Sequence, residues 1–421
     1  MRFRSRWKPI RVRLLLLLSI VGPGIITANV DNDAGGITTY SVAGAHFGNS
    51  LLWMLPLVAL ALVIVQEMSA RLGVVTGKGL ADLIRESLGL RATAVIIGIV
   101  LLANFANTVS EFAGVAASME IFGVRKYISV PAAAVAVWLL IVKADYKSVE
   151  RVFLAASAIY LAYVASGFLA RPDWAAVAAD FAAPRFRLEA AFLTMSVTVI
   201  GTTIAPWMQF YQQASVVDKG LKPADYAYER IDVIIGSLFA VAVAGFIVIA
   251  CSATIFAAGK TIDSAKDAAL ALAPLAGRYA SALFGLGLLN ASVFSAAILP
   301  LSTAYVVCEA FGWESGVGKS FSQAPVFFGT YSALILLGGA VILLPIPSLI
   351  RAMMASQTLN GVVLPVILIV MLRLINDRRL MGDFVNGRVL NAISWIMVIV
   401  LIALTAVMIG LGAADLLGPY L

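Results

Sequence analysis

Apolar runs separated by short charged loops fill most of this 421-residue chain. A helix needs about 20 mostly apolar residues to cross a hydrocarbon core of about 30 Å, and most of these runs are at least that long. The pattern therefore predicts an all-α polytopic membrane protein. Eleven spans are predicted, near residues 13–46, 51–75, 92–122, 128–142, 149–170, 189–217, 229–257, 278–311, 325–344, 348–374 and 388–415.

The first span is unusual because two acids and two glycines lie inside it, within Val30–Gly36. At 1.5 Å per residue, residues 13–46 would form a helix of roughly 50 Å, which is too long for the membrane unless it breaks or tilts. A carboxylate inside a membrane needs a partner or water, and glycines let backbone carbonyls leave the helix. This combination predicts a break that binds a cation, with Asp33 as a ligand, directly or through one water, and Val30 contributing its backbone carbonyl. A helix cap is the alternative role for Asp33.

The sixth span contains a second break, at Pro206. Because proline has no N–H, the Thr202 carbonyl four residues earlier loses its helical partner and can serve as a ligand. Spans 1 and 6 hold equivalent positions in two sets of five, which predicts an inverted repeat with its site between the breaks. Two ordinary kinks are the alternative. The chain, 1–421, is expected to be one transmembrane transporter domain. Its predicted parts are a basic cytoplasmic tail, two repeats and an extra helix, at residues 1–12, 13–170, 189–374 and 388–415.

Composition and charge agree with membrane embedding, since 61% of the residues are hydrophobic, 13% are charged and the mean hydropathy is +0.97. Part of the net charge of +7 comes from six basic residues among residues 1–13, where the first span begins. Basic residues there predict a cytoplasmic N-terminus rather than a nucleic-acid site, with a signal peptide as the alternative. The basic loops 76–91, 143–151, 218–230 and 373–388 fall on the same side, so the C-terminus is expected outside.

Few residues offer enzyme chemistry. Two cysteines and one histidine exclude a disulfide scaffold, a thiolate metal cluster and a His-rich metal site. The chain contains no His-Glu-x-x-His pair, no Gly-x-Ser-x-Gly turn and no complete Gly-x-x-x-x-Gly-Lys-Ser/Thr loop, so an enzyme is not expected.

Several motifs in order resemble those of the Nramp metal-ion transporter superfamily, over about residues 14–375. Asp33-Ala34-Gly35-Gly36 stands where that superfamily has Asp-Pro-Gly-Asn, and Ala205-Pro206-Trp207 stands where it has Met-Pro-His. The resemblance implies a LeuT-like inverted repeat of five plus five helices, with broken helices 1 and 6 and an eleventh helix. It also implies the carbonyls of Val30 and Thr202 as ligands. Further similar stretches are Ala70-Arg71-Leu72-Gly73, Glu111-Phe112-Ala113-Gly114 and Ser356-Gln357.

The departures from the motifs predict the transported ion. Ala205 replaces a methionine whose thioether would select soft transition metals, and Gly36 replaces an asparagine oxygen. A wider site with fewer ligands favours an ion that keeps its water, as Mg²⁺ does. The pattern resembles the Nramp-related magnesium transporter branch. We therefore expect transport of largely hydrated Mg²⁺ by alternating access, with Mn²⁺ as a further substrate.

Proton coupling is not expected, because Trp207 replaces the motif histidine and Thr108 stands at the place of a third-span acid. An inside-negative potential is a sufficient driving force for a uniporter, at roughly 4.6 kcal/mol for two charges and 100 mV. A proton-coupled Mn²⁺/Fe²⁺ symporter of the Nramp type is the alternative. A sodium-coupled amino-acid transporter is a more distant one, since Asp33 would repel a substrate carboxylate.

Other residues are assigned by their place in the spans. Gln357 and Asn360 lie three apart on one helical face and either bind the hydrated ion or join helices as polar glue, with Gln357 assigned to the ion. Glu67 and Arg71, four apart, are expected to form an intrahelical pair. The residues assigned to lining the site are Gly35, Gly36, Ala205, Pro206, Trp207 and Asn360, and those assigned to the pathway are Asp31, Asn32 and Glu111.

The expected partners are the divalent ion and the lipid bilayer of the cell membrane, without nucleic acid and without a cofactor. A monomer is the expected oligomeric state.

Overall fold

The structure is a computed structural model that describes residues 30–143 and 157–417. Within these ranges the chain forms helices and turns and no strand, which confirms the predicted all-α class. The helices longer than one turn are α1 (Ala34–Phe47), α2 (Met54–Thr76), α3 (Leu80–Ile121), α4 (Lys126–Lys143), α5 (Leu161–Leu169), α6 (Trp174–Ala182), α7 (Ala190–Thr203), α8 (Pro206–Asp218), α9 (Tyr226–Cys251), α10 (Ala280–Phe311), α11 (Pro325–Leu343), α12 (Leu349–Ile375) and α13 (Arg388–Leu417).

Nine segments of the described residues are long and apolar enough to cross a membrane. They coincide with nine of the eleven predicted spans. The other two predicted spans, 13–46 and 149–170, extend into residues outside the described ranges, and the predicted tail 1–12 lies wholly outside them. Crossing helices such as α4 and α13 keep large apolar side chains exposed, including Leu139 and Ile399, and this exposure suits contact with lipid.

Two segments predicted as loops contain part or all of a helix longer than two turns. The third span was expected at 92–122, but α3 begins at Leu80. Gly89 adopts φ 78° and ψ 167°, which is not a helical conformation, and it divides α3 into a short first part and a membrane part. Residues with a Cβ rarely adopt a positive φ, so glycine suits this position. The loop after α5 likewise contains α6, which begins where the Asp173 side chain accepts hydrogen bonds from two backbone N–H groups.

Both predicted helix breaks are present. α1 begins at Ala34 after the irregular turn Asp31–Asp33, in which the last residue is extended at ψ −176°. Two residues separate α7 from α8, and the second of them, Ala205, is extended at ψ 141°. Pro206 occupies the first turn of α8, where its missing N–H has no helical partner to lose. The backbone leaves the helix at both places, so neither feature is a simple kink.

Helix α12 links the breaks to the rest of the bundle, packing against α1, α3 and α7. It meets α7 at close range, because a Cβ built on Gly201 would overlap the Gln357 carbonyl oxygen and the Gly361 backbone. Only glycine permits this approach. The close contact between α7 and α12 brings the polar residues of α12 next to the breaks.

The predicted pair of Glu67 and Arg71 is confirmed on α2, with Arg71 Nε 3.2 Å from Glu67 Oε1. Arg71 Nη1 donates to the Phe384 carbonyl oxygen at 3.0 Å, and Nη2 donates to Asn386. The Tyr226 hydroxyl on α9 donates to Glu67. Because the pair is buried, these bonds compensate its desolvation and join α2 and α9 to the segment before α13.

Candidate functional site

Asp33 lies at the amino end of α1 and is only 4% exposed. Its Oδ1 accepts a hydrogen bond from the Gly36 backbone N–H at 2.6 Å, so it caps the helix. Unpaired N–H groups and the helix dipole favour a carboxylate at this position. The cap holds the carboxyl group beside the break, where it remains able to bind an ion.

Three oxygen atoms from the two breaks converge beside Gly36. A Cβ built on Gly36 would lie 2.5 Å from the Asp31 carbonyl oxygen, 3.3 Å from Asp33 Oδ1 and 3.4 Å from Thr202 Oγ1. Because position 36 carries no side chain, a carbonyl, a carboxylate and a hydroxyl oxygen all lie within 3.4 Å of one point beside it. Oxygen donors of these kinds suit Mg²⁺, Ca²⁺ and Mn²⁺.

Several polar side-chain atoms of residues at or next to the two breaks have no protein partner within the described ranges. They are Thr202 Oγ1, both carboxylate oxygens of Asp31, and Asn32 Oδ1, and all are buried. The Asn32 amide nitrogen donates to the Ala240 carbonyl oxygen on α9 at 3.5 Å. Since buried polar atoms are normally paired, water or a cation is expected to complete their bonding.

Glu111 of α3 brings a second carboxyl group to Asp33. Its Oε2 accepts a hydrogen bond from the Ala34 backbone N–H at 3.3 Å, which places its carboxyl group beside Asp33. Two buried carboxylates that lie close together repel each other, so a cation between them would be favourable. Glu111 therefore lies beside the first break, together with Asp33.

Gln357 and Asn360 of α12 lie next to the first break. The Gln357 carboxamide packs against Gly35, where any Cβ would overlap it. Asn360 Nδ2 donates to Gln357 Oε1 at 2.9 Å, and Asn360 also exchanges two hydrogen bonds of 3.0 Å with Asn107 of α3. These amides join α12 to α3, and the role of Gln357 at the ion stays a prediction.

The second break carries apolar groups after Thr202. Ala205 contributes a methyl group, and the Trp207 ring packs near Tyr211, with the ring centroids 6.2 Å apart. The Trp207 carbonyl oxygen accepts a hydrogen bond from Ser302 Oγ at 3.2 Å. Positions 205 and 207 therefore supply neither a sulfur nor an imidazole nitrogen.

The sequence reasoning missed some of the groups that the structure brings together. It named the Thr202 carbonyl but not the Thr202 hydroxyl, and the Val30 carbonyl but not that of Asp31. It did not consider Asn107. A usable signal existed for this residue, because Asn104, Asn107 and Glu111 fall at i, i+3 and i+7 and so share one face of α3.

The described residues contain no group of three or more His, Cys, Asp and Glu side chains with the arrangement of a metal centre. A site at the breaks would therefore combine carboxylates with carbonyl, hydroxyl and amide oxygens. Such mixed sites are typical of transporters that bind ions at unwound helices.

A model of the family described as natural resistance-associated macrophage protein-like (Nramp) matches residues 24–410. The chain belongs to the Nramp family. Nramp proteins are transporters rather than enzymes; they need no cofactor, and a divalent metal is their cargo. The predicted family and class are confirmed.

Curated relatives and solved structures agree with this membership. The divalent metal cation transporter MntH of Yersinia enterocolitica is 28% identical over 415 residues, covering 94% of this Nramp chain and 96% of the relative. A manganese transporter of Eremococcus coleocola has a TM-score of 0.79 at 23% identity, covering 98% of this chain and 90% of that one. Mhp1, a nucleobase-cation-symport-1 family transporter, has a TM-score of 0.60 at 17% identity and covers 93% and 91%. These structural similarities confirm the LeuT-like fold of this Nramp protein.

Proposed function

We propose that this protein carries Mn²⁺ across the membrane together with protons, by alternating access through the space between the two helix breaks. The observation that carries the proposal is the convergence of the Asp31 carbonyl oxygen, Asp33 Oδ1 and Thr202 Oγ1 beside Gly36. The names of the relatives, which specify manganese or divalent metal cations, support Mn²⁺ as the cargo. We had favoured uncoupled Mg²⁺ transport from the sequence, and the comparisons give that hypothesis no support.

The position of Glu111 beside Asp33 supports proton coupling. Two carboxyl groups this close can share one proton, with one group donating to the other. A divalent ion beside Asp33 favours the ionised form of both groups and displaces that proton, and transport in the same direction requires the proton to leave toward the side that the metal enters. The chain thus keeps two titratable residues at the proposed site. Trp207 and Thr108 replace two other groups, a histidine and an acid, that the Nramp resemblance associates with proton transport.

Mg²⁺ transport without protons is the second candidate. It is favoured by Ala205, because a methyl group at this position provides no thioether to select a softer metal. Mg²⁺ usually binds through one or two carboxylates and keeps several waters, and the unpaired oxygens of Asp31 and Asn32 are suited to accept hydrogen bonds from such waters. We propose a cytoplasmic N-terminus, an outside C-terminus and a monomer for either candidate.

Proteoliposomes loaded with a pH dye and a metal dye separate the two candidates. With an inside-negative potential, added Mn²⁺ should enter and acidify the lumen in proportion to its entry, and added Mg²⁺ should enter more slowly. Fast Mg²⁺ entry without acidification would favour the second candidate. Entry of neither ion, in vesicles whose protein is folded, would contradict divalent metal transport altogether.

Substituting Ala205→Met tests selectivity. The new thioether should lie beside the Thr202 end of the break, so the ratio of Mn²⁺ to Mg²⁺ uptake should rise by about tenfold, because sulfur prefers the softer ion. Competition of each metal against Mn²⁺ uptake measures this ratio. Ala403→Met, at an exposed position of α13, is the matched control and should leave the ratio unchanged. An equal ratio in the two variants would remove position 205 from the site.

A further inference from the structure

Three side-chain amides form a continuous chain from the first break into the bundle, which we call the amide ladder: Gln357, Asn360 and Asn107. Asn360 Nδ2 donates to Gln357 Oε1 at 2.9 Å and to Asn107 Oδ1 at 3.0 Å. Asn107 Nδ2 donates back to Asn360 Oδ1 at 3.0 Å. Gln357 is 1% exposed, and neither asparagine is exposed at all.

In the structure, the bonds of Gln357 to Asn360 and Ser356 set which of its atoms faces Gly35. Its oxygen is held by Asn360, so its nitrogen lies toward Gly35 and donates to Ser356 Oγ at 3.2 Å. A cation binds an oxygen lone pair and is repelled by an N–H donor. Gln357 in this arrangement therefore cannot serve as the ion ligand that the sequence suggested.

A second arrangement of the amide ladder keeps the same bonds between the amides. A carboxamide is nearly symmetric in shape, so it can exchange the places of its oxygen and nitrogen by turning about its last bond. If all three amides turn together, Gln357 Nε2 donates to Asn360 Oδ1, and the two asparagines again exchange two bonds. Turning Gln357 alone would set its N–H against the Asn360 N–H, so the three amides must turn as a unit.

The two arrangements differ only in what they present to the break. The turned ladder points Gln357 Oε1 toward Gly35, and the Ser356 hydroxyl cannot satisfy this oxygen while it donates to the Met353 carbonyl oxygen at 2.7 Å. A buried oxygen without a donor is unfavourable. A cation or its bound water supplies the missing partner.

We propose that the amide ladder switches between these two arrangements and that the bound cation selects the one in which Gln357 Oε1 is a ligand. Asn107 and Asn360 are positioning residues, because they act on the ion only through Gln357. This inference rests on the proposed function, since it requires a divalent ion at the breaks. It extends the site to α3 and makes ion binding depend on contacts between α3 and α12.

A double-mutant cycle on Mn²⁺ affinity tests the positioning role. Asn107→Leu keeps the branched shape of the side chain and removes its two bonds, so the Kd for Mn²⁺ should rise by about tenfold, as for other residues that orient a metal ligand. In a Gln357→Ala background the same substitution should leave the Kd unchanged. Asn104→Leu, one turn away and bonded to Thr303 instead, is the matched control and should leave the Kd within about twofold.

The thermal unfolding of each metal-free variant is measured alongside, so that a general loss of folding is separated from a loss of affinity. Equal effects of Asn107→Leu in the presence and absence of the Gln357 side chain would overturn the positioning role. A tenfold effect of Asn104→Leu, equal to that of Asn107→Leu, would also overturn it.

Isotope-edited infrared difference spectra test the switching itself. Addition of Mn²⁺ to protein with ¹³C-labelled asparagine side chains should shift a labelled carbonyl band, because both asparagines exchange donor and acceptor roles. In Asn107→Leu the shift should shrink to the part contributed by Asn32, which lies outside the amide ladder. A shift as large in this variant as in the wild type would overturn the switch. Mn²⁺ binding that moves no asparagine band would overturn the switch and leave the proposed function intact, whereas a wild-type protein that binds no divalent ion would overturn the proposed function first.

Discussion

Asp33→Asn is expected to abolish metal uptake while leaving the fold in place. Asparagine is as good a helix N-cap as aspartate, so the hydrogen bond from the Gly36 N–H can persist. The substitution removes the negative charge beside the space between the breaks and the partner of Glu111. We expect Mn²⁺ uptake into proteoliposomes to fall by at least about 100-fold, beyond the 10- to 100-fold typical of residues that only orient a ligand.

The matched control is Asp173→Asn. Asp173 caps α6 through the same kind of side-chain-to-backbone bond, with Oδ1 accepting from the Ala175 N–H at 2.9 Å, but it lies in an exposed loop. This variant should transport at the wild-type rate. Wild-type uptake by Asp33→Asn at full expression would exclude Asp33 from the site, and with it the proposed function.

Gly36→Ala is expected to be nearly as damaging, although it adds a single methyl group. That carbon would lie 2.5 Å from the Asp31 carbonyl oxygen and would occupy the space among the three oxygens. The backbone of the break must then shift or the ion must be displaced. Because misplacement of reacting groups by about 1 Å costs about 100-fold in comparable preorganised sites, uptake should fall by that order.

Gly98→Ala measures the ordinary effect of the same change. Gly98 lies in the membrane part of α3, and nothing would lie within 4 Å of a Cβ built there. Alanine is the better helix former, so this variant should be slightly more stable and fully active. If Gly36→Ala transported as well as Gly98→Ala, the converging oxygens would not form the ion site.

The sequence motifs and the comparisons with known proteins favour different transported ions and different answers on proton coupling. Ala205 and Trp207 removed a thioether and a histidine, and from these losses we inferred Mg²⁺ and uncoupled transport. The family match and the names of the relatives favour the manganese alternative instead. The structure adds that Glu111 accepts a hydrogen bond from the Ala34 N–H and so lies beside Asp33, which leaves two titratable residues together at the first break.

The sequence by itself determined the helical membrane architecture and the positions of the two breaks. Both follow from local physics: an apolar run of sufficient length must cross the bilayer as a helix, and neither Pro206 nor a polar turn such as Asp31–Asp33 can continue one there. The same reasoning made Asp33 the leading candidate ligand, because a carboxylate within a span is costly and so marks a functional-site hypothesis.

Only the tertiary structure decided which atoms of different helices meet. The hydroxyl of Thr202 and the carbonyl of Asp31 approach each other because α7, α12 and α1 pack closely through glycines, and no local pattern specifies that approach. The partnership of Asn107 with Asn360 joins residues 253 positions apart, so it depends on how α3 lies against α12. Spacing along a helix tells which residues share a face, but the packing of the helices decides what that face contacts and which atom it presents.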